Sequence, residues 1–595
     1  METGQRSQEY AEALSGNGPS GDASYWHSID WSKVERSVKR LRQRIFKAAQ
    51  EGDLKKVRNL QKLMLRSHSN TLQSVKRVTQ KSAGRRTAGV DGVTYLRSSA
   101  RGKVARTIGK CSAQLVRPVR RVYIPKANGR MRPLGIPVIR DRVNQARVKN
   151  ALEPEWEAYF EGGSYGFRPG RSCQDAIEQI FRITSGRYAK RPWVLDADLA
   201  SAFDRVNHDR LLEVIGGFPA REVIRKWLKA GVMDGGRFAP TEAGTPQGGV
   251  ISPLLLNVIL HGLGEAAGLR KGAGRNERLR SPATIRYADD FVVFCRTEEE
   301  ALLVKRRISE WLEPKGLAFN DEKTQVVHLD EGFDFLGFNV RKYSGKTLIK
   351  PSREAVRRII GKVRDVTRVM GTVRTEEVVR SLNPLIKGWS TYYRGAVSSE
   401  TFSFLDHYVW RRTWRWALRR HPRKSKQWIT EKYWGKFLYP ARKDRWIFGD
   451  KVSGKYLCKF AWTTIKRHTP VKGTASKDDP SLEGYWAGRT RKRVYPQVDG
   501  KNVYLAARQK GLCPLCGQDL IDGAGYEPES VREWADWFHA QYRTVHRHHL
   551  VYRSRGGSDS TTNLVLIHAE CHRQHHAADS TTTPEGGTVR PEWPA

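Results

Sequence analysis

Two adjacent carboxylates sit in the middle of ATIRYADDFVVFC, with apolar, strand-forming residues on both sides of Tyr287-Ala288-Asp289-Asp290. Neighbouring aspartates repel each other and spoil strand propensity, so the pattern predicts a hairpin with Asp289 and Asp290 at its tip and a positive species between them and a third acid. A divalent metal meets that need. Two Mg²⁺ ions about 4 Å apart can activate a 3′-hydroxyl and stabilise a leaving pyrophosphate, and they require carboxylates converging from separate strands. The third acid lies in VLDADLASAFD, a strand running into a helix, where spacing alone does not choose among Asp196, Asp198 and Asp204. A solvated turn beside an N-capping Asp would carry the same letters, so the rest of the chain has to decide.

The chain has 595 residues with 106 Lys and Arg against 62 Asp and Glu, a formal charge of +44. A field of that size is neutralised by a polyphosphate, hence nucleic acid, or less often by an anionic membrane surface. Insertion into a membrane is excluded by the apolar runs: the longest, Val250 to Leu260, is broken by Ser252, Pro253 and Asn257 and falls short of the roughly 20 residues a spanning helix needs. The polar start METGQRSQEY is no secretory signal. Seven cysteines form a sparse, odd set, which predicts a reducing, cytoplasmic setting rather than a disulfide scaffold. At roughly 150 residues per domain the length implies about four folded units.

Apolar residues recur at helical spacing from Trp31 to Gln80 among Lys and Arg, predicting at least two basic amphipathic helices. From Val116 to Gly345 strands alternate with helices, the pattern of an α+β unit with an antiparallel sheet. Beyond Lys350 the chain reads as helical and basic: Arg411 to Gln427 holds eight Lys and Arg, no acid, and interleaved tryptophans. Pro470 to Pro480, rich in Lys, Ser, Thr, Gly and Asp, predicts a linker. In the last unit, Cys513-x-x-Cys516 stands opposite His568-x-x-Cys571, two pairs suited to tetrahedral Zn²⁺. His548, His549 and Asn563 lie between them, and His572 and His576 follow, four apart and so on one face of a helix. The Cys/His pairs alone fit a zinc-stapled nucleic-acid-binding knob equally well.

VYIPKANGRMRPLGIPVIRDR, SYGFRPGRS, DADLASAFD, GTPQGGVISPLLLN, YADD, LAFNDEKT and FDFLGF occur in this order, followed by LNPLIKGWSTYYR. Together they resemble the reverse transcriptases encoded by group II introns, in particular the chloroplast-like bacterial class. The resemblance implies a multidomain α+β chain: a flexible tail (1–25), an N-terminal helical extension of the fingers (26–117), right-hand polymerase fingers and palm with an antiparallel sheet (118–345), a helical thumb/maturase domain (346–450), a DNA-binding segment and linker (451–505), and a small zinc-containing ββα-metal HNH domain (506–580) before a second tail (581–595). It also implies that Asp198, Asp289 and Asp290 bind Mg²⁺ and that Lys126, Arg130, Arg132, Gln247 and Lys323 handle the nucleotide. Phe203 would clash with a 2′-hydroxyl, and Arg411, Arg412, Arg415, Arg419 and Arg420 would meet RNA phosphates. Where many relatives have Lys-Gly after the first Asp and its hydrophobic neighbour, this chain has Ala200-Ser201.

The C-terminal order of His548-His549, Asn563, His572 and His576 is similar to an HNH endonuclease. That similarity implies His549 as general base, an imidazole that titrates near neutrality. His548, His572 and His576 become ligands of a catalytic metal, with His575 competing for the last place, while Asn563 orients the loop. Cys513, Cys516, His568 and Cys571 hold structural Zn²⁺. The implied whole is a mobile-intron protein that binds its intron RNA, assists splicing, nicks target DNA and extends the new 3′ end with dNTPs. Three rivals are a domesticated RNA-binding maturase, an RNA-dependent RNA polymerase, and a defence-associated reverse transcriptase of the same chemistry. YADD and Phe203 speak against the second; genomic context separates the third.

Overall fold

The computed structural model describes residues 20–109, 116–125, 129, 131–186, 189–245, 247–269, 281–371, 373–437, 444–491, 504–505, 508–509, 512–515, 520, 545–553, 556–569, 571–572 and 575. Its N-terminal layer consists of helices α1 (Ser20–His27), α2 (Trp31–Gln50), α3 (Leu54–Arg66), α4 (His68–Lys76) and α5 (Ile139–Tyr159). The side chains of Asp30, Asp53 and Ser67 cap α2, α3 and α4 by accepting backbone amides. Val34, Val38, Leu41 and Ile45 then bury the stripe that the periodicity predicts. Helix α1 begins at Ser20, ahead of the boundary expected near Trp26. Asp22 and Trp26 are buried, and α1 lies so tightly on Ser98–Thr107 that a Cβ on Gly102 would come within 2.1 Å of the Asp22 carbonyl oxygen.

Next come α6 (Cys173–Thr184) and α7 (Glu298–Leu312) with strands β1 (Val119–Pro125), β2 (Met131–Ile136), β3 (Trp193–Ala197), β4 (Val232–Asp234), β5 (Arg237–Ala239), β6 (Ala283–Tyr287), β7 (Asp290–Cys295) and β8 (Gln325–His328). β1 and β2 form a hairpin to which the β4–β5 pair attaches through a short parallel contact. The central sheet is antiparallel throughout, in the order β6-β7-β3-β8. Leu195, Phe291, Val293 and Cys295 face a core shared with Val304 and Ile308 of α7. Val194, Val292 and Phe294 face the opposite core with Ile177 and Ile180 of α6. Burial on both faces explains why these strands read as near-continuous apolar runs instead of alternating.

A second sheet, β9 (Phe333–Phe335), β10 (Phe338–Tyr343) and β11 (Lys346–Pro351), leads into α8 (Arg353–Val369), α9 (Thr375–Tyr392) and α10 (Ser399–Arg420). The Tyr392 and Tyr393 hydroxyls donate to the carbonyls of Leu336 and Gly337, 3.0 Å each, and pin the tight β9–β10 turn. That turn holds Leu336 and Gly337 at positive φ. Trp389 and Trp416 are fully buried in the core beneath.

The segment from Pro470 to Pro480 is no free linker. Arg171 donates to the Gly473 carbonyl at 2.6 Å, and Arg42 forks between Asp478 and Glu153. The Val471 amide and His468 Nε2 each lie 2.8 Å from Asp175 Oδ1. Val471, Ser476 and Asp478 are buried. Its composition suggested mobility, but Val471, Gly473 and Asp478 each have a partner far away in sequence, so the chain runs as a fixed strap.

The strap's approach is held by Asp406 on α10, whose carboxylate accepts the amides of Phe460 and Ala461 at 2.6 and 3.0 Å. Burial outweighs those bonds and pushes its pKa up to about 6. The folded chain therefore holds this proton more tightly than the unfolded one, and stability falls as pH rises from about 4 to 6. Asp406→Asn should remove that part of the pH dependence, gaining roughly 2–3 kcal/mol on wild type between pH 4 and pH 7; parallel urea titrations at the two pH values measure it.

The C-terminal unit contains an antiparallel pair, β12 (Val545–His549) and β13 (Leu564–His568), with β13 buried along its length. Among the described residues, no helix is long and apolar enough to cross a membrane.

Candidate active sites

With both faces of the central sheet covered, the paired acids sit at the β6–β7 turn, where Ala288 is buried and Asp289 and Asp290 are partly exposed. Tyr287 pairs with Asp290, so Ala288 and Asp289 are the two turn residues. Ala288 has φ +60° while Asp289 does not enter the positive-φ region, the pattern of a II′ hairpin turn. The SYGFRPGRS loop braces it from below. Gly166 comes so near that a Cβ would lie 2.4 Å from the Ala288 nitrogen. The buried Arg286 guanidinium donates to the Ala288 carbonyl (3.2 Å), Asn257 Oδ1 (2.9 Å) and Ser164 Oγ (2.8 Å). Asn257 in turn donates to the Gly166 carbonyl at 2.8 Å.

Of the three acids that spacing left open, Asp198, the one the resemblance names, is brought to this turn. Its carboxyl lies within hydrogen-bonding reach of Asp290. Asp204 instead accepts from Gln247 Nε2 at 3.0 Å. Asp196 accepts weakly from Gln325 on β8, and burial pushes its pKa up to about 7. The LAFNDEKT segment holds Asp198: the Asn320 amide donates to its carbonyl, and Lys323 Nζ and Asn320 Nδ2 donate to Oδ2 at 2.6 and 3.1 Å.

Burial and then the charge of Asp289 hold Asp290 well above the carboxylate range, with Asp198 adding to it. Asp289 is raised by burial and by Asp198 against the opposing pull of Arg132 and Lys323. Burial disfavours the Lys323 ammonium, yet the carboxylates outweigh it and raise its pKa. Hard oxygen donors crowded until they resist ionisation are the donor chemistry a divalent cation suits. The three carboxylates are set wider than a single-ion cage: among the described residues, Cys513, His568 and Cys571 are the set whose ligand atoms all lie within 4.8 Å.

Around the turn, Arg132 on β2 is exposed and near enough to act on Asp289. The Gly135 amide donates to the Gln247 carbonyl at 2.7 Å, and a Cβ on Gly248 would meet the Gly135 oxygen at 2.9 Å. Phe203 is half-buried, edge-on to Phe167 with ring centres 6.4 Å apart. Just before it, Ser201 adopts φ +50°, ψ +47°, the left-handed conformation glycine takes without penalty. The departure noted at this position therefore costs backbone strain. Ser201→Gly should stabilise the chain by about 0.5–1 kcal/mol, seen as a higher denaturation midpoint.

In the C-terminal unit Cys513, His568 and Cys571 are all buried; Cys516 lies outside the described residues, as do Lys126, Arg130 and His576. His548 is buried, with its ring centre 5.2 Å from His572 and 5.0 Å from His575. His546 Nδ1 lies 3.4 Å from His572 Nδ1, a neighbour the sequence reading did not single out. His549 Nε2 is 2.7 Å from Asp559 Oδ1, and Arg553 donates to the same carboxylate. Asn563 staples the loop between, accepting the Val551 amide and donating to the carbonyls of Val551 and Ser558.

On α10, Arg412 donates to Thr367 and to the Arg364 carbonyl, and Arg420 to the Val373 carbonyl. Those two guanidiniums serve packing. Arg411, Arg415 and Arg419 are exposed four residues apart, on one face.

Four known families match the chain. A family described as "Reverse transcriptase (RNA-dependent DNA polymerase)" matches residues 124–340. The N-terminal domain of reverse transcriptase matches 26–108, the group II intron maturase-specific domain 356–434, and HNH endonuclease 537–578. Protein YkfC of Escherichia coli is 36% identical over 324 residues, 47% of this chain and 83% of that protein. The group II intron-encoded protein LtrA of Lactococcus lactis is 29% identical over 306 residues, 41% of this chain but half of that protein. The putative COX1/OXI3 intron 1 protein of Saccharomyces cerevisiae is 27% identical over 319 residues, 43% of this chain and 38% of that protein. The chain thus belongs to the group II intron-encoded reverse transcriptase and maturase family, in a form that carries an HNH endonuclease module.

Proposed function

We propose that the chain is an RNA-directed DNA polymerase that binds its intron RNA, assists the splicing of that RNA, and nicks a DNA strand to prime its own copying. The meeting of Asp198 with Asp290 where β3 ends and β7 begins carries this reading. In it, the sheet is the palm, the β1–β2 hairpin belongs to the fingers, and α8 to α10 form the thumb and maturase domain.

Asp198, Asp289 and Asp290 would hold Mg²⁺, which when bound favours attack by a primer 3′-hydroxyl and departure of pyrophosphate. Lys323 donates to Asp198 and keeps it aimed at the turn. Arg132, with Lys126 and Arg130, would grip the triphosphate as it meets the aspartates. The half-buried Phe203 ring would lie under the sugar and exclude a 2′-hydroxyl. Gln247 and Gly248 would let the backbone approach the nascent pair. Arg411, Arg415 and Arg419 would meet RNA phosphates, giving affinity without sequence information.

In the last unit Cys513, Cys516, His568 and Cys571 would hold Zn²⁺ as a staple. His548, His572 and a third imidazole, His576 or the neighbouring His575, would hold the nuclease cation, while His549 takes a proton from water and Asn563 fixes the loop. The deciding experiment purifies the full chain with its bound RNA, sequences that RNA, and supplies a primer and dNTPs. Intron RNA copied into DNA supports the proposal; an RNA pool without intron sequence, or no extension, rejects it.

A further inference from the structure

The buried side of α10 consists of Phe402, Leu405, Val409, Thr413, Trp416 and Ala417. Its other side carries a ladder of rings. His407 stacks on Trp410 (centres 5.6 Å, planes 28° apart), and Trp410 on Trp414 (6.1 Å, 17°). Trp414 is anchored inward by Trp434 at 5.2 Å, whereas Trp410 leaves 38% of its surface in solvent. The exposed cations Arg411 and Arg415 alternate with the rings along the same helix. The acids of α10, Glu400 and Asp406, lie on its N-terminal side, and Asp406 is occupied by backbone amides.

Phosphate contact alone explains the arginines but not the rings. A duplex keeps its base faces stacked and offers protein only phosphates and groove edges. An exposed indole held parallel to its neighbours suits the face of a base that is already unpaired. We propose that His407, Trp410 and Trp414, with Arg411 and Arg415, form a stacking platform for an unpaired segment of the bound RNA. A base lies against the exposed part of the Trp410 ring and the flanking phosphates lie on the two guanidiniums. The proposal rests on the reading of this domain as RNA-binding and deepens it from phosphate affinity to recognition of single-stranded bases.

The test measures binding of the full chain, by fluorescence anisotropy at fixed salt, to an unstructured RNA of about 12 nucleotides, to an RNA duplex of the same length, and to the matching single-stranded DNA. Trp410→Ala should weaken single-stranded RNA about tenfold and the duplex less than about twofold. Trp410→Phe, which keeps a ring and the fold, should restore most of the loss. Arg415→Ala should weaken strand and duplex alike. Equal losses on strand and duplex in Trp410→Ala, or no loss, overturn the platform while leaving RNA binding by the domain intact. A DNA strand bound as tightly and with the same dependence on Trp410 overturns its assignment to RNA. A wild-type chain that binds neither RNA overturns the underlying reading as well.

Discussion

Asp289→Ala is expected to reduce extension of a DNA primer on an RNA template by about 10³-fold or more, a loss of roughly 4 kcal/mol of transition-state stabilisation. RNA binding should survive. Asp289 occupies the second turn position of a hairpin whose backbone is held by Arg286, Asn257 and Ser164, so the substitution removes a carboxylate without removing its support. The same change should leave the fold as stable as wild type or more so near neutral pH. Burial and the charge of Asp198 keep the Asp289 pKa raised, so ionising it above the ordinary carboxylate range opposes folding, and removing it relieves that opposition. A site that loses activity while the chain gains stability is the signature of crowded acids kept for cation binding. Mg²⁺ should raise the thermal midpoint of wild type more than that of the variant. Undiminished polymerisation by Asp289→Ala would reject the metal assignment.

The hairpin was legible because its signal is local: two acids between apolar runs specify a turn wherever the strands lie. Spacing could not choose among Asp196, Asp198 and Asp204, and only the resemblance named Asp198, because what aims it depends on where Asn320 and Lys323 return, more than 120 residues later. The brace on the turn was equally hidden. Arg286 reads as one more cation in a basic chain until its partners Asn257 and Ser164 are brought beside it. The Pro470–Pro480 segment was misread for the complementary reason. Its residues have the composition of a flexible linker, and what fixes it is the pairing of Asp478 with Arg42, 436 residues away. The tryptophans of α10 divide as the sequence allowed, with Trp416 in the core and Trp410 at the surface, but periodicity did not reveal that Arg412 and Arg420 are committed to backbone carbonyls. Asp559 was missed because nothing in its immediate sequence marks it as the partner of His549.

That partner shapes the second large effect. An ionised carboxylate accepts hydrogen bonds and does not donate, so the 2.7 Å contact with Asp559 puts a proton on His549 Nε2 and makes Nδ1 the atom that would take one from water. Hydrogen bonds from His549 and Arg553 hold the Asp559 pKa below the usual carboxylate range, which keeps this polarity fixed in the neutral range. His549→Ala should therefore reduce nicking of target DNA by about 10²–10⁴-fold, the span assigned to a positioned general base. Asp559→Asn should have a smaller effect, roughly tenfold, because the amide holds the ring but no longer fixes its tautomer. Neither change lies on the central sheet: among the described residues β12 pairs with β13 alone, so extension from a pre-nicked primer should proceed at the wild-type rate. Both reactions are measured on one end-labelled DNA duplex, intact or pre-nicked, with the full RNA-bound protein. Nicking that persists in His549→Ala would remove the nuclease assignment, and loss of extension alongside nicking would mean that the two chemistries share a site.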